Sequence, residues 1–208
     1  MRPEPLILAF DTSAAHCAAA LLSGDRLLTL RHEAMDKGQA ERLLPLLQEV
    51  LAKADFTWSD LSALAVGTGP GNFTGVRIAV AAARGLALSR GLPAFGVTAL
   101  EAAAFGLPRP VTVIADARRD EVYVQDVTEE GPGEARLHPA PVTPLYPATG
   151  SAAGPDALAP AMPLVEAIAR LAAARLRDGL LPARPAPFYL RGADAAPPSD
   201  PPPVILPG

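Results

Sequence analysis

Ala63-Leu-Ala-Val-Gly-Thr-Gly-Pro-Gly-Asn-Phe-Thr-Gly-Val-Arg77 is the stretch of the chain that decides the fold. Its first four residues are apolar and predict a buried strand, and the glycines and proline between Gly67 and Gly71 predict a sharp turn. An alanine-rich helix pattern follows from Thr74 to Ser89. Such a unit is either a tight structural corner or a loop whose free N–H groups hold an anion.

Asp11-Thr-Ser13 and the glycine loop together form a candidate phosphate site. Asp11 could hold a hydrated Mg²⁺ while the two hydroxyl residues face a phosphate, or it could form an Asx-type turn with no ligand. The loop matches neither the Walker nor the dinucleotide fingerprint, and Pro70 removes one N–H group. Arg77 could bind an anion or neutralise Asp11 or Glu41. The possible phosphate contacts are Asp11, Thr12, Ser13, Gly69, Gly71 and Arg77.

Composition narrows the classes of function. The 208 residues are half hydrophobic, and the net charge of −4 with scattered basic residues argues against a surface that grips nucleic acid. Cys17 stands alone, which fits a reducing compartment. The first apolar run, Leu6 to Phe10, is too short for a signal peptide or a membrane span, so we expect a cytoplasmic protein. No metal site is expected, because His16, His32 and His138 are isolated in the sequence.

Apolar patterning predicts a mixed sheet with helices on its faces in the first half of the chain. Its strands are expected at residues 6–10, 16–22, 27–33, 63–66 and 94–97, and its helices at 74–89, at 99–105 and from the cap at Asp36 to about residue 54. Asp36 with Gln39, and Thr98 with Glu101, have the spacing of helix caps. The proline-rich second half predicts strands at 111–115 and 122–127 and a helix at 164–177, with Pro163 in its first turn.

The two longer helices of the first half carry more apolar surface than packing on one sheet requires. Leucine and valine cover more than one stripe of the first helix, and small residues cover most of the second. Either both helices are buried within their own domain, or they form a hydrophobic docking face for a partner, which is the interpretation favoured here. The predicted partner or dimer interface consists of Leu43, Leu44, Leu47, Val50, Ala79, Ala82, Ala83 and Leu86.

Several segments of the chain resemble motifs of the bacterial TsaB family, formerly YeaZ. They are Leu8-Ala-Phe-Asp-Thr-Ser13, Glu41-Arg-Leu-Leu-Pro45, Gly69-Pro-Gly-Asn-Phe-Thr-Gly-Val-Arg-Ile78, Asp116-Ala-Arg118 with Glu121-Val-Tyr123, and Phe188-Tyr-Leu-Arg191. The match is dense over residues 6–125 and thin afterwards. The glycine-loop motif, in this register with the others, is highly specific.

The resemblance implies an α/β, actin-like (sugar kinase/Hsp70) fold of two ribonuclease-H-like lobes, the second one reduced. The lobes are expected at residues 1–106 and 107–195, followed by a proline-rich, disordered tail at 196–208. The implied role is a non-catalytic scaffold that docks on a TsaD-type transferase and activates it for N6-threonylcarbamoylation of adenosine 37 in tRNAs reading ANN codons. A small TsaE-type P-loop ATPase joins that complex, and the scaffold forms homodimers when alone.

The resemblance also implies which part of the complex uses cofactors and contacts tRNA. It implies no intrinsic cofactor, since the assembled complex uses ATP and Mg²⁺, and it implies contact with tRNA only through the complex and none with a membrane. Gln39-Ala40 stands where relatives have His-Ser/Thr, which excludes the two-histidine metal motif of the transferase. Asn72 replaces the usual serine, and the region after Gly131 is short and proline-rich.

Two other functions are open at this point. One is a stand-alone ATP-binding phosphotransferase of the actin-like fold that uses Asp11 and the glycine loop. The other is a peptidase, for which the sequence shows no nucleophile–base pair.

Overall fold

The computed structural model describes residues 4–190, and its first half is built on a five-stranded sheet. The strands are β1 (Leu6–Asp11), β2 (His16–Ser23), β3 (Arg26–Ala34), β4 (Ala63–Gly67) and β5 (Ala94–Val97). Their order is β3-β2-β1-β4-β5; β1 to β3 pair antiparallel, and β1, β4 and β5 pair parallel. The predicted mixed sheet is confirmed. Each of its strands begins and ends within about one residue of the predicted position.

Helices cover both faces of this sheet. They are α1 (Gln39–Lys53), α2 (Phe73–Arg90), α3 (Ala99–Ala103) and α4 (Leu164–Arg177). Because successive side chains of a strand point to opposite faces, Leu8 and Phe10 pack with α1 and α2, whereas Ile7 and Ala9 pack with α4. A strand buried on both faces therefore shows an unbroken apolar run. Among the described residues, no helix combines the length and apolar character needed to cross a membrane.

The predicted helix cap is present at α3 but not at α1. Thr98 accepts a hydrogen bond from the backbone N–H of Glu101 at 3.1 Å, as its spacing predicts. The predicted cap of α1 by Asp36 with Gln39 is wrong. The N-cap is Gly38, whose φ of 89° is left-handed and which makes no side-chain cap bond, while the Gln39 amide donates to the carbonyl of Met35 at 3.0 Å.

A second sheet follows in the other half of the chain. It contains β6 (Val111–Arg118), β7 (Glu121–Thr128), β8 (Gly131–Pro132), β9 (Arg136–Pro139) and β10 (Ala148–Thr149). Its order is β10-β6-β7-β8, and β9 also pairs with β7. The β6–β7 hairpin is longer than predicted because its turn is confined to Arg118, Arg119 and Asp120, which have φ of 62°, 55° and 58°.

Helix α4 is confirmed at both of its predicted bounds, and Pro163 is its N-cap. Although α4 comes from the stretch expected to form the reduced second lobe, it packs on the first sheet, where Ala167, Ile168 and Ala172 are fully buried. The division of the chain at residues 106 and 107 stays a prediction. The expected tail at residues 196–208 lies outside the described residues.

Candidate functional site

The glycine loop is packed directly against the turn that follows β1. A Cβ atom added to Gly75 would overlap the carbonyl oxygen of Thr12, and one added to Gly71 would overlap that of Ser13. A Cβ on Gly67 would overlap a carboxylate oxygen of Asp11. Glycine is therefore required here so that two backbone segments can approach closely, which supports the tight-corner interpretation of the loop.

Several hydrogen-bonding groups at the start of α2 have partners within the chain. Asn72 is the N-cap, and its Oδ1 accepts from the Gly75 N–H at 2.9 Å. Its own N–H donates to the carbonyl of Ser13 at 2.6 Å, and the Thr12 hydroxyl donates to the carbonyl of Gly75 at 2.7 Å. The N–H groups of Asn72 and Gly75 are therefore already bonded within the chain and are not available to a phosphate. Phosphate contacts of Asp11, Thr12, Ser13, Gly69 and Gly71 within an assembled complex stay a prediction.

Asp11 is the centre of a buried polar cluster. Its Oδ2 accepts from the N–H of Ser13 at 3.1 Å and from the Ser13 hydroxyl at 2.9 Å, so it forms the Asx-type turn. The same oxygen lies 2.7 Å from Nε2 of His16. The other oxygen, Oδ1, is buried and makes no hydrogen bond to any residue between 4 and 190.

The Asp11 cluster does not have the order of a catalytic triad. In a triad the histidine must contact the nucleophile's hydroxyl, so that it can take its proton. Here Ser13 and His16 both contact one oxygen of Asp11, and Ser13 is 4% exposed. The geometry gives no support to a peptidase.

Sequence reasoning missed that two of the histidines are neighbours. The ring centroids of His16 and His32 lie 4.9 Å apart because Ala18 pairs with His32 in the β2–β3 hairpin, which makes the two histidines diagonal neighbours. This pairing depends on a register shift between Leu21 and Leu22. The predicted turn alone would place His32 opposite Cys17 and on the other face from His16, so no signal in the sequence pointed to this pair.

Arg77 contacts neither Asp11 nor Glu41 among the hydrogen bonds and ion pairs of residues 4–190. Its guanidinium carbon lies 3.6 Å from the ring centroid of Phe73, and its Nε donates to the Tyr189 hydroxyl at 2.9 Å. The predicted role of Arg77 in neutralising those carboxylates is therefore wrong, because the aromatic contacts hold it on the outside of α2.

The C-terminal segment, residues 182–190, brings Tyr189 to α2. The N–H of Phe188 donates to the carbonyl of Thr68 at 2.8 Å, and Nε of Arg84 donates to the carbonyl of Pro185 at 2.6 Å. The segment is thus bound both to the glycine loop and to the middle of α2, although it contains no helix or strand.

The predicted interface residues divide into two groups. Those that lie in the chain's own core are Leu43, Leu47, Val50, Ala79 and Ala83. Their assignment to an interface is corrected, because they are the side chains with which α1 and α2 cover the sheet. Leu44 is 48% exposed, and Ala82 and Leu86 are partly buried against the core. An interface that contains these three residues stays a prediction.

A continuous stripe of exposed residues runs along the side of α2 that faces away from the sheet. We call it the outer face of α2, and it consists of Phe73, Arg77, Ala81, Gly85 and Leu88. Spacings of three and four residues place side chains on one side of a helix. Phe73 is 47% and Leu88 is 88% exposed, so this stripe presents large apolar side chains at its two ends and small residues between them.

Two cavities lie near the C-terminal segment. One, of about 440 Å³, is lined by Thr98, Gln125, Phe188 and the carboxylates of Glu101 and Glu134, and no lysine or arginine of residues 4–190 lines it. The other, of about 370 Å³, is lined by Arg184 and by Arg175, which is bound to Glu101 and to the carbonyl of Gly96. A triphosphate needs cations, so the charge of the first cavity is unfavourable for it.

Charged and thiol groups elsewhere serve the fold. Arg42 on α1 donates to Glu33 on β3 at 2.7 and 2.8 Å and to Glu49 at 2.7 Å. These hydrogen bonds lower the pKa of both glutamates and raise that of Arg42.

Burial, with a smaller effect of the Glu33 charge, raises the pKa of the Cys17 thiol to about 11. No group of three metal-ligating side chains occurs in residues 4–190.

Comparison with known proteins first defines the class. A family model described as TsaD, tRNA N6-adenosine threonylcarbamoyltransferase, matches residues 33–142, a range that contains α1 and α2. YeaZ from Pseudomonas aeruginosa has a similar structure, with a TM-score of 0.75 at 29% identity over 89% of this chain and 100% of that one. The protein is therefore an α/β protein of the actin-like, ribonuclease-H-like class, as predicted.

Relatives in sequence define the family within that class. TsaB of Haemophilus influenzae is 40% identical over 130 residues, which are 60% of this chain and 54% of the relative. An uncharacterized protein of Mycobacterium tuberculosis is 36% identical over 203 residues, which are 92% of this chain and 94% of the relative. The chain spans about half the length of the TsaB proteins that it matches. It belongs to the TsaB/YeaZ family.

Proposed function

We propose that this chain is a non-catalytic scaffold in the synthesis of threonylcarbamoyladenosine. It docks on a TsaD-type transferase subunit and activates it for N6-threonylcarbamoylation of adenosine 37 in tRNAs reading ANN codons. The exposed outer face of α2 is the observation that supports docking. Two relatives are named as tRNA threonylcarbamoyladenosine biosynthesis proteins, which supports the pathway.

The transferase subunit is the proposed partner because of the part of the chain that its family model matches. That match includes both α1 and α2, so a transferase of the same fold is expected to present a related pair of helices. Ala81 and Gly85 lack bulky side chains, and small residues let two helices approach closely as their ridges and grooves interlock. We expect a second copy of this chain to bind the same face and to form a homodimer when the partner is absent.

The proposed scaffold leaves the chemistry to the other subunits. The glycine loop packs against the Asp11 turn, with the N–H groups of Asn72 and Gly75 bonded within the chain, and among residues 4–190 the charged groups that line the 440 Å³ cavity are carboxylates. ATP and Mg²⁺ therefore act at the transferase and at a small TsaE-type P-loop ATPase, and tRNA is contacted through the complex. We expect this assembly in the cytoplasm.

Titration of the isolated protein with Mg-ATP tests the non-catalytic role. We expect no binding in the micromolar range and no turnover. Micromolar binding accompanied by phosphate transfer would instead support the stand-alone phosphotransferase.

The docking face is tested by placing a long charged side chain in its middle. Ala81→Arg is expected to weaken binding to the transferase subunit by about a hundredfold or more, since a charge buried without a partner at the centre of an interface is costly. Ala159→Arg, at an exposed loop residue, is the matched control and is expected to bind like the wild type. Equal affinities for the two variants, measured by isothermal titration calorimetry, would refute the docking face.

A further inference from the structure

Arg77 is held in one orientation on the surface of the protein. Its guanidinium stacks on Phe73 at 3.6 Å and donates through Nε to Tyr189, whose ring centroid lies 5.3 Å from that of Phe73. Tyr189 is itself fixed, because the neighbouring Phe188 is bound to Thr68. Exposed arginines ordinarily lose side-chain entropy when they bind a partner. This arginine has been ordered in advance by two aromatic rings.

The two terminal nitrogens of Arg77 have no partner within residues 4–190. Within this range, the guanidinium donates one hydrogen bond, from Nε to the Tyr189 hydroxyl, and lies against the aromatic rings of Phe73 and Tyr189. Other arginines of the described chain, such as Arg42 and Arg170, are paired with carboxylates. Arg77 thus presents the two N–H groups with which a guanidinium grips a planar anion.

We propose that Arg77 is a preorganised receptor for a carboxylate of the docked partner protein, with Phe73 and Tyr189 as its positioning residues. The inference rests on the proposed function and names a contact within the proposed docking face. It also gives the C-terminal segment a role, since that segment supplies the tyrosine that orients the arginine.

A carboxylate of a protein fits this position better than a phosphate of RNA. The residues that follow Arg77 along the outer face of α2 are Ala81, Gly85 and Leu88, which suit a protein surface and offer nothing to a charged backbone. Recognition of RNA phosphates requires several cations in a patch, whereas the basic residues of this chain are scattered and its net charge is −4. Arginine and tyrosine are also enriched among the residues that dominate protein interfaces.

The test compares the affinity of full-length variants for the transferase subunit. Arg77→Gln is expected to weaken binding about tenfold or more, the range of a charged hydrogen-bonded pair. Arg77→Lys is expected to reduce the affinity nearly as much as Arg77→Gln, because an ammonium group cannot donate two parallel hydrogen bonds to one carboxylate. Tyr189→Phe keeps the charge and the ring, so a loss of about threefold is expected with an unchanged dependence on salt. Arg136→Gln, which removes an exposed charge on β9, is the control and should match the wild type.

Each outcome supports or overturns the receptor. If Arg77→Gln binds within twofold of the wild type while Ala81→Arg does not bind, the docking face stands and the receptor is refuted. If Arg77→Gln leaves the protein–protein affinity intact but weakens binding of tRNA to the assembled complex, the anion is an RNA phosphate and the receptor is again refuted. If the wild type does not bind the transferase at all, the proposed function and the receptor both fail. Thermal melting of each variant controls for folding.

Discussion

The turn after β1 and the outer face of α2 flank the same glycine loop, and they have opposite character. At the turn, Thr12 and Ser13 meet Gly71 and Gly75 so closely that no side chain fits between them. On the outer face, Phe73 and Leu88 are exposed and Arg77 presents unpaired nitrogens within the described chain. Glycines in a strand–loop–helix unit therefore need not mark a ligand site: here they pack the fold, and the binding that we propose uses the helix beside them.

The largest effect is expected from adding one methyl group to the closed turn. Gly75→Ala would place a Cβ against the carbonyl of Thr12, and since backbone must move to relieve the overlap, we expect it to cost about 4 kcal/mol of folding free energy or more. Chemical denaturation of the purified variant measures this.

Gly85→Ala is the matched control for the open side of the same helix. An added Cβ there has no atom of the described chain within 4 Å, and alanine is favoured over glycine inside a helix by about 0.5–1 kcal/mol. A small gain in stability is expected. Equal effects of the two substitutions would show that the turn is not tightly packed and would remove the contrast between the two regions.

A second contrast separates the two sides of α1. Leu47 is fully buried, so Leu47→Ala is expected to lower the free energy of unfolding by about 3 kcal/mol. Leu44 is 48% exposed, and Leu44→Ala is expected to change it by less than about 1 kcal/mol in the isolated protein. Urea denaturation of both variants provides the comparison. A Leu44→Ala loss as large as that of Leu47→Ala would mean that the isolated protein already buries its outer surface.

The sequence predicted the first sheet and most helix bounds because their signals are local. Unbroken apolar runs predict β1 and β4. Pro163, followed by apolar residues at helical spacing, predicts α4. It did not predict which apolar residues face inward, because periodicity cannot show that α4 covers the second face of the sheet and leaves α1 and α2 to cover the first. Leu47 was therefore assigned to an interface.

The candidate site was less predictable because its contacts join distant parts of the chain. The contact between Arg77 and Tyr189 spans 112 residues, and the pairing of His16 with His32 depends on the register of a hairpin. The loop of Asp11 was correctly given an Asx turn as one alternative, since that bond spans only two residues. Local chemistry was visible in the sequence, and tertiary contacts were not.

The smallest effect is expected on the charged side of α1. Arg42 lowers the pKa of Glu33, so this pair stabilises the fold at pH values above the pKa that Glu33 has in the unfolded chain. That contribution is lost as the pH falls through the pKa of the folded state. Glu33→Gln should therefore reduce the free energy of unfolding by less than about 1 kcal/mol at neutral pH, and the difference from the wild type should vanish in acid. In an Arg42→Ala background the substitution should lose most of its effect, since only the longer contact of Glu33 with Arg31 remains, and an undiminished effect would rule out the pair with Arg42 as the cause.

The most direct test of the account is tRNA modification reconstituted from purified components. The transferase subunit, the P-loop ATPase, Mg-ATP, a donor of the threonylcarbamoyl group and unmodified tRNA are combined with the wild-type chain, with Ala81→Arg or with Ala159→Arg. Threonylcarbamoyladenosine is then measured by mass spectrometry. We predict full modification with the wild type and with Ala159→Arg, and background levels with Ala81→Arg or without this chain. Modification that proceeds equally well with Ala81→Arg, or in the absence of the transferase subunit, would contradict the account.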